Sequence, residues 1–301
     1  MEHKRRVESA IRHLPVDRTP CAELLIDDAV VKSLCGNVVV EFEHRLEFVQ
    51  SMGLDAVCLH PNLDWSNRTC FPRSINVQFC DLHKWAKAER FTFAVLDGPF
   101  GWGSRMLGFN RFISQLMRGS SEITDLISAV EQLNLEMMRR LADEGIDGFI
   151  IADDIAYSNG IIVRPNVLRK NIFPSLSCQV EQARTLKLPI FFHSDGNLNL
   201  VLDDIVKVGF DGLHCIESLA GMDIGLLKKH YGKRLCLWGN LDPAVLYTPY
   251  GCAELQNKVN GIISAAGKDS GLIFGTSSGL CEGMRITSLR QVYENVRQTF
   301  W

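Results

Sequence analysis

The chain lacks an excess of either charge: 32 Lys+Arg face 35 Asp+Glu, a formal net charge of -3 over 301 residues. A nucleic-acid binder usually carries a basic surplus, so no nucleic-acid partner is expected. It also lacks any run of about 18 apolar residues, the length a membrane span needs. Met1 to Arg12 is charged and has no apolar core of the secretory kind. No CxxC occurs among the ten cysteines, Cys70 and Cys80 being the closest pair. A chain this long does not depend on disulfides, so reduced thiols in a cytoplasmic setting are expected, mostly as small buried apolar residues. No internal repeat, low-complexity tract or linker interrupts residues 1–301, which predicts one domain.

What is present is an ordinary globular composition, 46% hydrophobic and 22% charged. Short β-like apolar runs alternate with longer helical ones. Eight strands are predicted: Cys21–Ile26, Ala56–His60, Thr92–Leu96, Gly148–Ala152, Pro189–His193, Gly212–Ile216, Arg234–Trp238 and Leu272–Gly275. "DGFIIA", "LPIFFH" and "GLIFG" are nearly continuous apolar runs, as parallel strands covered on both faces should be. Between them, Glu41–Met52 and Ser121–Glu144 show apolar spacing of three and four. Arg164–Leu186 opens with a proline suited to a first helical turn. Asn197–Val208, Asp223–Tyr231, Gly251–Ala266 and Thr287–Thr299 follow as helices.

Eight strands with interposed helices predict an α/β fold of the (β/α)8 TIM-barrel type. A doubly wound open sheet is weaker, because no GxGxxG follows the first strand. Residues 61–91 fit neither period and predict an inserted hairpin or loop over the barrel mouth.

Barrel active sites gather at strand C-termini. Polar groups stand at nearly every one of those ends: Asp27–Asp28, His60, Asp97, Asp153–Asp154, His193 with Asp195, Glu217, Asn240 and Asp242, and the stretch from Gly275 to Glu282. His193 and Asp195 are two apart, so in extended chain they point the same way. With Glu217 and Cys281 they form a donor set that Zn2+ accepts. The plainer alternative makes Cys281 one more buried thiol and Glu217 a strand cap.

"RHLPVDRTP", "GIDGFIIADDIAYSNGIIVRPNVLRKNIFP" and the long run from "FFHSDGNLNL" to "LCLWGNLDP" resemble the uroporphyrinogen decarboxylase superfamily. The resemblance extends from about Arg5 to Arg297 and implies a TIM barrel. The superfamily joins two chemistries, cofactor-free decarboxylation of uroporphyrinogen and methyl transfer to or from a corrinoid protein, often with zinc. The decarboxylases grip their polyanionic substrate with an arginine-rich N-terminal motif. Here the stretch "PCAELLIDDAVVKSLCG" has no arginine and carries Asp27 and Asp28 instead, so a polyanion would be repelled. The resemblance therefore implies the methyltransferase branch, whose metal site is similar to H-x-C, then Glu, then a distant Cys. His193, Glu217 and Cys281 match, and Asp195 stands where the first Cys belongs, either as a ligand or as an acceptor orienting one. Carboxylate for thiolate makes a harder Lewis acid, suited to a methyl ether or methylamine rather than a thiol.

On that reading Asp153 or Asp154 donates a proton to the leaving group, the alternative being helix-capping carboxylates. Tyr157, His60, Asn240 and Trp102 are expected around the substrate, Trp102 on a glycine-rich loop, "LDGPFGWGSRM", that is equally readable as an exposed turn. His214 alternates to the face opposite Glu217 and should be packed under helices. The corrinoid must arrive on a separate protein, and superfamily relatives include dimers, so a homodimer is allowed. A metal-free decarboxylase and a barrel that binds a corrinoid or tetrapyrrole without turnover are the alternatives.

Overall fold

The computed structural model describes residues 1–63, 71–249 and 251–299. Its strands are β1 (Ala56–Leu59), β2 (Pro61–Asn62), β3 (Gln78–Phe79), β4 (Phe91–Asp97), β5 (Gly148–Ala152), β6 (Ala156–Tyr157), β7 (Gly160–Ile161), β8 (Ile190–His193), β9 (Gly212–His214), β10 (Cys236–Leu241) and β11 (Leu272–Thr276). The helices are α1 (His3–Ile11), α2 (Asp28–Cys35), α3 (Phe42–Met52), α4 (Leu82–Trp85), α5 (Pro99–Leu107), α6 (Phe109–Arg118), α7 (Ser121–Asp143), α8 (Pro165–Asn171), α9 (Phe173–Leu186), α10 (Leu202–Val208), α11 (Ile224–Tyr231), α12 (Cys252–Ala266) and α13 (Ile286–Gln298). The class is α/β, with helices interposed between successive parallel strands as in a TIM barrel. The chain divides into two compact units.

The first unit comprises Met1–Cys58, Lys87–Thr92 and Gly212–Trp301. In it β10 pairs in parallel with β9 and with β11. The predicted first strand is present only as isolated parallel bridges, Cys21 to Phe274, Ala22 to Ala56 and Ile26 to Leu280. Gly275 lets this segment close in, because a Cβ there would stand 2.2 Å from the Ala22 carbonyl oxygen. A charged knot closes the N-terminal side. Asp55, fully buried, accepts from Arg6 (2.6 Å), from Arg18 (2.7 and 2.9 Å) and from the Cys21 amide (2.9 Å), with His3 Nδ1 at 2.7 Å. Paired and hydrogen-bonded, it meets the condition under which a buried charge is tolerated.

The second unit comprises Leu59–Ala86 and Phe93–Asp211. β4, β5 and β8 pair in parallel, with Ala152 opposite His193. All four residues of β8 are buried, as an apolar strand covered on both faces requires. Asn134 of α7 donates to the Asp97 carbonyl (3.0 Å) and to Gln179 of α9 (2.9 Å), tying helices to strand end. The insertion expected at 61–91 contains an antiparallel pair, β2 with β3. Residues 64–70 of it lie outside the described residues.

Further predicted elements differ. The helix expected over Arg164–Leu186 is two, α8 and α9, meeting at Ile172 just before Pro174, which removes an amide from the helical ladder. The glycine-rich "loop" at Trp102 is helix α5, with Pro99 at its first turn. β9 stops at His214, because Cys215 and Ile216 take positive φ of 87° and 55°. The thiols also differ from expectation. Cys21, Cys215 and Cys236 are buried, whereas Cys80, Cys178 and Cys252 are exposed. Among the described residues, no helix is long and apolar enough to cross a membrane.

Candidate functional site

In the second unit β8 delivers His193, buried, at its C-terminal end. The Asp153 amide donates to the His193 carbonyl (2.9 Å), carrying the β5–β8 pairing one step past β5. That step brings Asp154 beside the histidine. His193 Nε2 lies 3.7 Å from Asp154 Oδ1 and 3.8 Å from Asp195 Oδ1. The Asp195 amide donates to Asp154 Oδ1 (3.0 Å). One ligand atom from each of the three lies within 4.8 Å of the others. Both carboxylates are exposed while the imidazole is sheltered, so the cluster opens outward.

Ser194 faces the other way and fixes the two loops. Its hydroxyl accepts from the Ile155 amide (3.1 Å) and donates to the Asp195 carbonyl (2.9 Å). Gly196 has φ +85°, and a Cβ there would stand 2.5 Å from the Tyr157 nitrogen. Glycine is needed at this close approach. Tyr157 itself is 54% exposed.

Behind the cluster lies a sealed acid. Asp153 is fully buried; its Oδ1 accepts from the Gly101 amide (2.7 Å) in the first turn of α5. Its Oδ2 has no hydrogen-bond partner among the described residues. Burial pushes its pKa well above the ordinary carboxylate value and the neighbouring Asp154 and Asp97 add to this, against the Gly101 and Phe100 amides. Gly98 leaves room for it, since a Cβ would stand 2.3 Å from Asp153 Cγ. Asp97 is also raised, by burial first, with Arg105 (2.8 Å) and His60 pulling it down. His60 is exposed. Trp102, placed by sequence at the substrate, is buried in α5 against Phe71, ring centroids 5.1 Å apart.

Glu217, Asn240 and Cys281 belong to the first unit. The positive φ values at 215 and 216 break strand alternation, so the face of Glu217 does not follow from that of His214. Glu217 is partly buried at the head of a 3-10 turn, Ser218–Ala220. His214 is fully buried and packs edge-on against Trp238 at 4.8 Å, as expected for a core histidine. Asn240 is 6% exposed and donates to the Ile216 carbonyl (2.9 Å), bracing the segment before Glu217. Asp242 caps the turn Pro243–Leu246 by accepting from the Ala244 amide (2.9 Å). Cys281 follows β11, half-buried; burial first, then Asp27 and Glu23, push its thiol up.

The trio of Asp154, His193 and Asp195 fits a divalent cation. One imidazole nitrogen and two carboxylate oxygens are donors zinc accepts, and three protein ligands leave a position open. Tetrahedral zinc with bonds of about 2.0 Å sets ligand atoms about 3.3 Å apart. The observed 3.7 and 3.8 Å need a contraction of a few tenths of an ångström. Sequence spacing found His193 and Asp195 but assigned Asp154 only to proton transfer. Its nearness to the histidine depends on the register between two strands.

Over 98% of both chains, the fold is similar to that of a methyltransferase from Methanosarcina mazei, with TM-score 0.77 and 16% identity. An endoglucanase from an uncultured bacterium shares it more loosely, TM-score 0.55 at 10% identity, over 97% of this chain and 95% of that one. Both likenesses show the fold alone. A uroporphyrinogen decarboxylase of Chlorobium phaeovibrioides is 25% identical over 214 residues, 69% of this chain. The match spans 56% of that protein's length. The uroporphyrinogen decarboxylase (URO-D) profile matches residues 82–299, well over half of the sequence, and the chain belongs to that family.

Proposed function

We propose that the protein is a zinc-dependent methyltransferase, moving a methyl group between a small methylated substrate and a separate corrinoid protein in the cytoplasm. The observation that supports it is the Asp154–His193–Asp195 cluster, an outward-facing donor set at strand ends. With two carboxylates in the set, a methyl ether or methylamine suits the site better than a thiol. Bound there, Zn2+ supplies Lewis acidity to the oxygen or nitrogen that carries the methyl group.

The chain's own residues divide the remaining work. His193, Asp154 and Asp195 would hold the ion, three protein ligands that leave a position open. Asp153, whose burial disfavours its charged form, is the proton donor to the leaving group. Tyr157 and His60, both exposed in the second unit, line the substrate's approach. Trp102, buried in α5, braces the helix that carries Gly101, and Asn240 braces the segment before Glu217 in the first unit.

The decarboxylase reading is favoured by the names of the curated relatives. Against it stands the arginine-free stretch 20–36, in which Asp28 pairs with Arg45 rather than facing a cation-seeking substrate. Metal analysis of the wild type beside His193→Ala and Asp154→Asn separates the readings. About one equivalent of zinc in the wild type, lost from both variants, is expected. Metal-free wild type after metal-replete expression, together with carbon dioxide release from uroporphyrinogen, would overturn the proposal.

A further inference from the structure

Glu23 is a carboxyl inside the apolar run "CAELLI", 1% exposed, and the chemistry above makes no use of it. Its bonds all lead toward the exit of β11. Oε1 accepts from the Thr276 amide (2.9 Å) and from Tyr293 (2.6 Å), and Oε2 accepts from the Thr276 hydroxyl (2.5 Å). That hydroxyl in turn accepts from the Gly279 amide (2.8 Å), so one carboxyl fixes both ends of the turn 276–279.

The same segment continues the hold. In extended chain Glu23, Leu25 and Asp27 fall on one side. The Leu25 carbonyl accepts from the Leu280 amide (2.8 Å), and the Asp27 amide donates back to the Leu280 carbonyl (2.9 Å). Asp27 Oδ2 accepts from the Glu282 amide (3.3 Å), and its carboxylate lies beside the Cys281 thiol. Gly279, at φ +118°, passes so close that a Cβ would stand 2.9 Å from the Leu25 carbonyl oxygen. Residues 23–27 therefore form a rail along which the loop bearing Cys281 is laid, and its one buried polar anchor is Glu23.

We propose that Glu23 is the positioning residue for Cys281, holding the Thr276–Cys281 loop so that the thiol is presented beside Asp27. The positioning is independent of the metal chemistry proposed above, and metal-free protein tests it. Iodoacetamide labelling of Cys281, located by peptide mass spectrometry, is compared with labelling of exposed Cys252. Glu23→Ala and Thr276→Val each release the turn, and Cys281 labelling relative to Cys252 should rise at least about fivefold. Tyr293→Phe removes a bond to the same carboxyl away from the loop. It should lower the melting temperature while leaving the labelling ratio within about twofold of wild type. The proposal is overturned if folded Thr276→Val keeps the wild-type ratio, or if Tyr293→Phe raises it equally.

Discussion

Replacing Glu23 by glutamine should remove a specific pH dependence from the protein's stability. Burial raises the carboxyl from its ordinary 4.5 to about 7, against the bonds from Thr276 and Tyr293. In the unfolded chain the group loses its proton near 4.5, and in the folded chain only near 7. The folded state thus binds more protons in that window, and stability falls as pH rises through it. It is fully present below about 4.5 and lost above about 7. At 1.36 kcal/mol per unit, the loss between pH 5 and pH 8 is about 2.5 kcal/mol. Glutamine keeps the size and cannot ionise, so its stability lacks this component whatever it costs in hydrogen bonds. Urea unfolding at pH 5, 6, 7 and 8, with both proteins fitted to a common m-value, reads the difference. Every other titrating group contributes equally to both proteins and cancels. A difference that stays constant within about 0.5 kcal/mol across that range would refute the reasoning. It would mean that Glu23 is ionised in the folded protein at pH 5.

Asp55→Asn leaves Arg6 and Arg18 gathered around a neutral group and should cost about 3–5 kcal/mol, read as a shift in denaturant midpoint; a loss under about 1 kcal/mol contradicts the account of the knot. Gly196→Ala meets both a positive φ and the Tyr157 backbone, and should cost about 1–3 kcal/mol. Because Asp195 precedes it, zinc affinity measured by competition with a chelating dye should fall with it, and a variant of unchanged affinity would detach the turn from the cluster. Asp153→Asn removes the proposed proton donor at nearly constant size, so methyl transfer should fall about 100-fold while the variant still folds, read by its melting curve. Large destabilisation with intact turnover would reverse that assignment.

The parts legible in the sequence share a property: each is set within one segment of chain. "LPIFFH" announces a strand because an unbroken apolar run leads into its histidine, and His193 with Asp195 announces a shared direction because the two stand two positions apart. The glycines of α5 mislead for the opposite reason. Gly103 is there because the Phe112 ring would stand 2.1 Å from a Cβ, and Gly98 because Asp153 lies behind it. These are demands of neighbours on other elements, and locally they read as a loop. Pro174 is a break signal in the sequence, but Pro165 nine residues earlier reads equally well as the start of one continuous helix. Asp154 joins His193 only because β5 and β8 pair with Ala152 opposite His193. A slip of one residue would turn its side chain to the other face. Glu217 is lost to alternation at the two left-handed residues before it. Glu23 is the instructive case, since its signal was present: an ionisable residue in an apolar strand has to be answered by partners. The partners, Thr276 and Tyr293, are about 250 positions or more away. A single sequence therefore exposes that such a group must be paired, and the fold alone names what pairs it.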